Sequence, residues 1–211
     1  MTFVLASASP ARLRTLRAAG LEPEVIVSGV DESNVESGSA AALCATLARL
    51  KAEAVVNRLR QHGRTDEIVL GCDSLLEFDG RILGKPADAA EATARWRDMR
   101  GRSGVLHTGH CLVRVGGGGE GGGSEGGGDS AEAVASTTVW FADVTDQEIA
   151  TYVGTGEPMQ VAGAFTIDGL GGWFVERIEG DAGNVIGVSL PVLRGLLTKL
   201  GVGVADLWAA H

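Results

Sequence analysis

The sequence alternates short apolar runs with longer segments in which apolar residues recur at helical spacing. Three apolar runs have the length of buried strands, at residues 1–7, 24–29 and 67–72. Leucine and alanine side chains at steps of three and four predict a helix over 40–62, which Gly63 ends. This part of the chain is therefore typical of an α/β protein, in which helices connect the strands.

Turn and capping residues define further elements. Ser9 followed by Pro10 predicts a helix that begins at residue 10 and ends at Gly20. The pair Asp79 and Gly80 predicts a two-residue turn between two strands of a hairpin. Two more helix starts carry a capping residue with a glutamate three positions later: Asp88 with Glu91, and Thr145 with Glu148.

The second half of the chain adds hairpins to this pattern. Strands are predicted near 104–115 and 132–142, then at 160–168 and 172–178, and a helix over 190–200. We therefore expect α/β structure with a mixed β-sheet and flanking helices, in one domain over 1–211. The glycine-rich segment 116–130 predicts a flexible surface loop, and its GxGxxG match is no dinucleotide fingerprint because no helix follows it.

Composition and charge exclude several classes of protein. The chain has 211 residues and a formal charge of -9, with no clustered basic segment, so we expect no polymeric nucleic acid partner. No apolar run reaches the length of a membrane span, and we expect no membrane partner. Three widely spaced cysteines without a CxxC pair favour reduced, buried thiols and a cytoplasmic location.

Two candidate sites follow the first two predicted strands. Ser7 and Ser9 precede a helix whose first N–H groups attract anions, although a simple capped surface helix explains the same residues. Asp31 and Glu32 follow the second strand, where they form either a solvated turn or part of a Mg²⁺ or Mn²⁺ site.

A third candidate site combines an acid with a lysine. Asp73 emerges from the apolar run at 67–72, and the hairpin returns Lys85 towards it. From the residues alone, this pair is either a structural ion pair or a metal and phosphate site. Lys51, on the long predicted helix, is expected to be exposed. His107 and His110 lie three apart on a strand, so they face opposite ways and form no metal pair.

Several motifs, in order, resemble the Maf family of nucleoside triphosphate pyrophosphatases. The chain has "LASASPAR" where the family has LASxSPRR, followed by "VDE" at 30–32 and "LARLKA" around Lys51. "GCDS" with "GRILGKP" is similar to the family block ADT...GxxLGKP, and residues 152–193 are similar to its long C-terminal signature. The resemblance covers nearly the whole chain.

The resemblance implies a fold related to inosine triphosphatases, with two lobes around a central groove. It also implies hydrolysis of nucleoside triphosphates between the α- and β-phosphates, with a divalent metal, to a monophosphate and pyrophosphate. By position, Asp73 is then the general base, and Glu32 and Asp73 hold the metal. The phosphate-binding residues carried over in the same way are Ser7, Ser9, Arg12, Lys51 and Lys85.

This chain departs from the family motifs at three positions. Ala11 replaces the first arginine of SPRR, Ser74 stands where a threonine is common, and Asp168 replaces a glutamine. Together with Arg12, Ser74 and Asp168 are the expected specificity residues, and they favour pyrimidine or modified nucleotides without fixing one base. The loss at Ala11 motivates an alternative, a nucleotide-binding regulator of septum formation with residual hydrolysis. A homodimer is an expectation from the family alone.

Overall fold

The computed structural model describes residues 1–33, 35, 37–116 and 130–208 of the chain. The strands are β1 (Thr2–Leu5), β2 (Glu24–Val25), β3 (Glu67–Phe78), β4 (Arg81–Leu83), β5 (Ser103–Arg114), β6 (Ser130–Phe141) and β7 (Val175–Glu179). The α-helices are α1 (Pro10–Ala18), α2 (Ala40–Gln61), α3 (Ala89–Met99), α4 (Asp146–Gly154), α5 (Ala182–Ile186), α6 (Leu190–Lys199) and α7 (Val204–Leu207). No helix of these ranges is both long enough and apolar enough to cross a membrane.

The strands form one open, mixed sheet in the order β2-β1-β3-β5-β6-β7, with β4 also paired to β3. β1 is parallel to both β2 and β3, whereas β3, β5, β6 and β7 follow each other in antiparallel pairs. β3 connects the two parts of the sheet, because its first residues pair with β1 and its last residues pair with β4. This confirms the predicted α/β class with a mixed sheet.

Apolar side chains from the helices cover the sheet in three clusters. α2 packs on one face through residues such as Ala48 and Val55, and α1 and α6 pack on the other through residues such as Leu16 and Leu196. A third cluster, around the buried Trp96 of α3, covers the far ends of β3, β5 and β6 together with α4.

Two glycines let α2 lie unusually close to the sheet. A Cβ placed on Gly71 of β3 would lie 2.1 Å from the Ala48 carbonyl oxygen of α2. A Cβ placed on Gly109 of β5 would lie 2.2 Å from the Cys44 carbonyl oxygen, one turn earlier in the same helix. Such distances are far below van der Waals contact, so any larger residue would push the helix away.

Most of the local predictions are confirmed. The Ser9 side chain caps α1 with Pro10 as its first residue, and Thr145 and Glu148 form the predicted capping box of α4. Asp79 and Gly80 both have positive φ, at 51° and 69°, as a primed hairpin turn requires. Asp88 caps α3, but the Glu91 carboxylate accepts from the Ala87 N–H and not from Asp88, so the predicted capping box is only half formed.

Two predicted strands are wrong in extent or type. The second strand covers only Glu24–Val25 of the predicted 24–29, because only these residues pair with β1. The predicted strand at 160–168 is absent from this described segment, which instead forms 3₁₀ turns. Gly163 and Ala164 have positive φ there, at 72° and 62°, which no strand tolerates. The strand predicted at 172–178 begins at Val175, and residues 117–129 of the predicted glycine-rich loop lie outside the described residues.

The close approach of α2 generates a prediction with a matched control. We expect Gly71→Ala to lower the free energy of unfolding by about 3 kcal/mol, because the new methyl group must displace the helix backbone. Gly195→Ala, on α6 with nothing within 4 Å, should raise it by about 1 kcal/mol through helix propensity. Urea denaturation of both variants is the measurement, and equal stability of the two would contradict the close approach.

Candidate functional site

Two chain segments and the middle of β3 meet where the parallel strands β1 and β2 end. Leu5, the last residue of β1, pairs with Val25 of β2 and Leu70 of β3; beyond this point β1 and β2 leave the sheet, whereas β3 continues through Asp73 and Ser74. In open α/β sheets, this carboxyl edge is where ligands bind. The geometry brings Glu32 and Asp73 to the same place as the turn into α1.

A cavity of about 810 Å³ lies at this edge. Its lining includes the turn into α1, the segment after β2, Lys51 of α2, and Asp73 and Ser74 of β3. It also includes Gly84 and Lys85 after β4, residues 160–162, 165 and 166, and the end of α5. The volume is within the range of pockets that bind cofactor-sized ligands.

Lys51 joins the two acids of the cavity. Its ammonium nitrogen lies 2.5 Å from Asp73 Oδ1 and 2.8 Å from Glu32 Oε1. Lys51 is only 9% exposed, so the expectation of an exposed side chain is wrong. The close packing of α2 against Gly71 explains the error, since Lys51 lies between the two α2 residues nearest that glycine.

The groups around Asp73 have opposite effects on the pKa of its carboxyl group. Burial raises the pKa of the Asp73 carboxyl above its usual range, and the nearby Glu32 carboxylate acts in the same direction. The Lys51 ammonium and the Arg12 guanidinium lower the pKa and keep the rise in check. The raised pKa makes Asp73 a stronger proton acceptor than an exposed aspartate, which suits the role of a general base.

Arg12 is buried and bonded in three directions. Its Nε donates to the Gly187 carbonyl at 2.8 Å, and its two terminal nitrogens donate to Ser7 Oγ at 3.0 Å and Ser74 Oγ at 2.9 Å. These bonds use three of the five guanidinium N–H groups. Arg12 therefore ties α1, β3 and the end of α5 together beside the acids, and its contact with a ligand stays a prediction.

A polar network behind Ser74 was not predicted from the sequence. Ser74 Oγ contacts Thr108 Oγ1 at 2.8 Å, and Thr108 donates to the Asn184 carbonyl of α5 at 3.0 Å. The Asn184 amide in turn donates to Leu106 and Thr137 across β5 and β6. The partners lie tens of residues apart in sequence, so no local pattern could have revealed them.

The other predicted residues divide between the cavity and its rim. Ser7 and Ser9 line the cavity, and Ser9 Oγ accepts from the Arg12 N–H at the start of α1. Lys85 lines the cavity and is exposed, with no ion pair or hydrogen bond to any described residue. The ion-pair partner of Asp73 is therefore Lys51, and Lys85 forms no structural ion pair with Asp73.

Asp168 lies outside the cavity lining, although its neighbour Thr166 belongs to it. The Asp168 carboxylate pairs with Arg14 of α1 at 3.0 Å and accepts a hydrogen bond from Thr166 Oγ1. Both of its oxygens thus have protein partners. The role of Asp168 in specificity, like that of Ser74 and Arg12, stays a prediction.

The donor set fits a hard divalent cation held together with a ligand. The Glu32 and Asp73 oxygens both contact one ammonium nitrogen, so a cation near that point would meet two carboxylates. Within the described ranges, no three histidine, cysteine or acidic residues group closely enough to hold a metal ion by themselves. Mg²⁺ is commonly bound by one or two carboxylates, with waters and substrate phosphates completing the shell.

Within the described part of the chain, no cysteine or histidine lines the cavity as a competing nucleophile or base. Cys44, Cys72 and Cys111 are buried and free, as predicted. Burial raises the pKa of the Cys72 thiol to about 11, so this neighbour of Asp73 stays protonated. His107 contacts Ser136 Oγ of β6 at 2.8 Å. His110 accepts from the Ser189 N–H, at the start of α6, at 2.9 Å.

The fold and cavity define an α/β protein with acidic and basic side chains gathered around one cavity at the carboxyl edge of its parallel strands. A family model described as Maf-like protein matches residues 2–200, and the chain belongs to this family. It is 63% identical over 209 residues to a Salinispora tropica protein, covering 99% of this chain and 88% of that one. It is 54% identical to a Streptomyces coelicolor protein (98% and 94% covered) and 51% identical to a Rhodococcus jostii protein (99% and 97%). All three relatives are named nucleoside triphosphate pyrophosphatase.

The ion pair in the cavity predicts a measurable change in the pKa of Asp73. In Lys51→Met the carboxylate keeps its burial and loses its nearest cation, so we expect the pKa to rise further. Carbon-13 NMR of labelled aspartate carboxyls is the measurement, with Asp73→Asn to assign the signal. Arg49→Met, on the neighbouring turn of α2, is the control, and an unchanged pKa in Lys51→Met would contradict the pairing.

Buried His110 predicts a pH dependence of stability. Burial lowers its pKa to about 4, whereas the unfolded chain binds the proton near 6.5. Between these values the unfolded state holds more protons, so the free energy of unfolding should fall by about 1.4 kcal/mol per pH unit as the pH decreases. The contribution is complete above about pH 6.5 and is lost progressively down to about pH 4.

His110→Gln removes this titration and keeps an acceptor for the Ser189 N–H. Between about pH 7 and pH 4.5, the variant should lose about 2.5 kcal/mol less stability than the unchanged protein. Urea denaturation at the two pH values measures the difference. The exposed His62→Gln is the control, and identical pH dependence in all three proteins would show that His110 is not buried as a neutral group.

Proposed function

We propose that this chain is a nucleoside triphosphate pyrophosphatase that uses Mg²⁺ or Mn²⁺. It hydrolyses the bond between the α- and β-phosphates to give a nucleoside monophosphate and pyrophosphate. The observation that carries the proposal is the buried Asp73 carboxylate, which shares one lysine with Glu32 in a cavity that also contains Lys85. The names of the relatives support the hydrolase class.

Each side chain has a defined task in this reaction. Asp73 accepts the proton of the attacking water as the water oxygen bonds to phosphorus, and the leaving phosphate oxygen carries away the bonding electrons. Glu32 and Asp73 would hold the divalent cation, which supplies charge neutralisation for the phosphates. Lys51 and Lys85 face the same cavity and reduce the cost of bringing about four negative charges to an acidic protein.

The turn into α1 serves the phosphates as well. Ser7 and Ser9 line the cavity at the N-terminus of a nine-residue helix, where N–H groups and the helix dipole favour negative charge. The buried Arg12 adds a fixed positive charge next to them. Because these groups are already bonded in place, little reorganisation is needed when the substrate binds.

The substrates we propose are pyrimidine and modified nucleoside triphosphates. The cavity wall includes apolar side chains, such as Phe165 and Val185, and the amide-bearing Gln160. An apolar wall accommodates the flat faces of a base, and an amide both donates and accepts hydrogen bonds at a base edge.

Asp73→Asn tests the reaction directly. We expect the turnover number to fall about 10³-fold, because the amide cannot accept the proton of the water. The measurement is anion-exchange analysis of products from a panel of ordinary and modified triphosphates with Mg²⁺ or Mn²⁺. Asp79→Asn, the same change at the exposed hairpin turn, should leave turnover unaltered.

The products distinguish the proposal from its rivals. A monophosphate with pyrophosphate supports the proposed reaction, and their relative rates rank the bases. A diphosphate with orthophosphate would indicate a phosphatase instead. Binding without turnover would favour the nucleotide-binding regulator, and full activity of Asp73→Asn would remove Asp73 from the role of base.

A further inference from the structure

The backbone around Lys85 is held on both sides by one ion pair of α3. Arg95 Nη1 donates to the Gly84 carbonyl at 2.6 Å, immediately before the lysine. Glu91 Oε2 accepts from the Ala87 N–H at 2.7 Å, two residues after it. The two side chains are bonded to each other, because Arg95 Nε and Nη2 donate to Glu91 Oε1 at 3.1 and 2.5 Å.

This pair, the Glu91–Arg95 clamp, differs from the ordinary ion pairs of the helix surface. The Arg95 side chain is 11% exposed, whereas Arg97 on the same helix is 54% exposed and pairs with Asp146. An exposed pair four residues apart stabilises a helix by only a few tenths of a kcal/mol. The clamp instead directs one donor and one acceptor to a segment outside its own helix.

The Gly84 carbonyl also links the clamp to the rest of the cavity wall. It accepts a second hydrogen bond, from the Gly163 N–H at 3.0 Å. Gly163 lies within the turn between the lining residues Ala162 and Phe165. Arg95 therefore fixes the carbonyl at which the Lys85 segment meets the lining turn around Gly163.

The position of Lys85 depends on these backbone contacts, because no described residue bonds its side chain. Among the described residues no hydrogen bond or ion pair holds its ammonium group, and the side chain is exposed in the cavity. A lysine side chain has a flexible four-carbon stem, so the position of its backbone decides which part of the cavity its ammonium group can reach. Pro86, which follows, restricts that backbone further.

We propose that Glu91 and Arg95 are positioning residues that act through Lys85. By fixing the Gly84 carbonyl and the Ala87 N–H, the clamp directs the ammonium into the cavity, where it binds the phosphates of the substrate. The inference rests on the proposed function for the identity of the ligand. It assigns a functional role to α3, which contributes no residue to the cavity lining.

A double-mutant cycle tests the clamp. The four proteins are the unchanged chain, Arg95→Ala, Lys85→Ala and the double variant. The probe is inorganic pyrophosphate with Mg²⁺, whose binding is measured by calorimetry, and turnover of a triphosphate is measured in parallel. We expect Arg95→Ala to weaken pyrophosphate binding about tenfold, and to cause no further loss when Lys85 is already alanine.

A merely structural role for Arg95 would give a different pattern. It would weaken binding by the same factor whether or not Lys85 is present, and that result would overturn the proposal. Unaltered binding in Lys85→Ala would overturn it too, since there would then be no lysine contact to position. Arg97→Ala, two residues further along α3 and on its exposed surface, is the control and should bind as the unchanged chain does.

Two additions keep the test decisive. If Arg95→Ala fails to fold, as judged by thermal unfolding, Arg95→Lys enters the same cycle, because lysine retains one donor but loses the paired fork to Glu91. The binding readout also separates this proposal from the proposed function. Non-additive loss of pyrophosphate binding without any triphosphate turnover would support the clamp and reject the reaction, whereas additive loss with turnover would do the reverse.

Discussion

The contact between α2 and the sheet at Gly71 and Gly109 is the constraint on which the site depends. Only glycine lets the helix backbone approach these strands so closely. That approach carries the ammonium of Lys51 to within 2.5 Å of the buried Asp73 carboxylate. A buried carboxylate without a partner is costly, so the packing of the helix and the charge of the site depend on each other.

A second constraint comes from the direction of the strands. Because β1, β2 and the first part of β3 are parallel, the segments that follow β1 and β2 leave the sheet beside the point where β3 continues into Asp73. Ser7, Glu32 and Asp73 therefore meet, although they are far apart in the chain. Arg12 then locks this edge through bonds to the end of α5 and to Ser74. The acidic protein thus concentrates a few fixed cations where an anionic ligand would bind.

The sequence predicted what short-range interactions determine and missed what long-range contacts determine. The caps at Ser9 and Thr145 and the turn at Asp79 were right, since each depends on residues within four positions. The predicted strand over 160–168 was wrong, because the positive φ of Ala164 is imposed by its packing and is not encoded in its apolar character. Lys51 was expected to be exposed for a similar reason, as its burial depends on a glycine twenty residues away in another element. The motif resemblance supplied the site residues that local patterns left open, and the structure places most of them around one cavity.

The basic side chains of the cavity are of two kinds, buried and exposed. Arg12 and Lys51 are buried and bonded to protein groups, so their positions are fixed before any ligand arrives. Lys85 is exposed and unengaged with any described side chain, and only its backbone is fixed, through Gly84 and Ala87. Arg12 and Lys51 place fixed positive charge next to the acids. Burying these charges costs desolvation free energy, which their hydrogen bonds offset. Under the proposed function, the exposed lysine would keep its hydration and its freedom until a phosphate group replaced the water, while the backbone around it stayed in place.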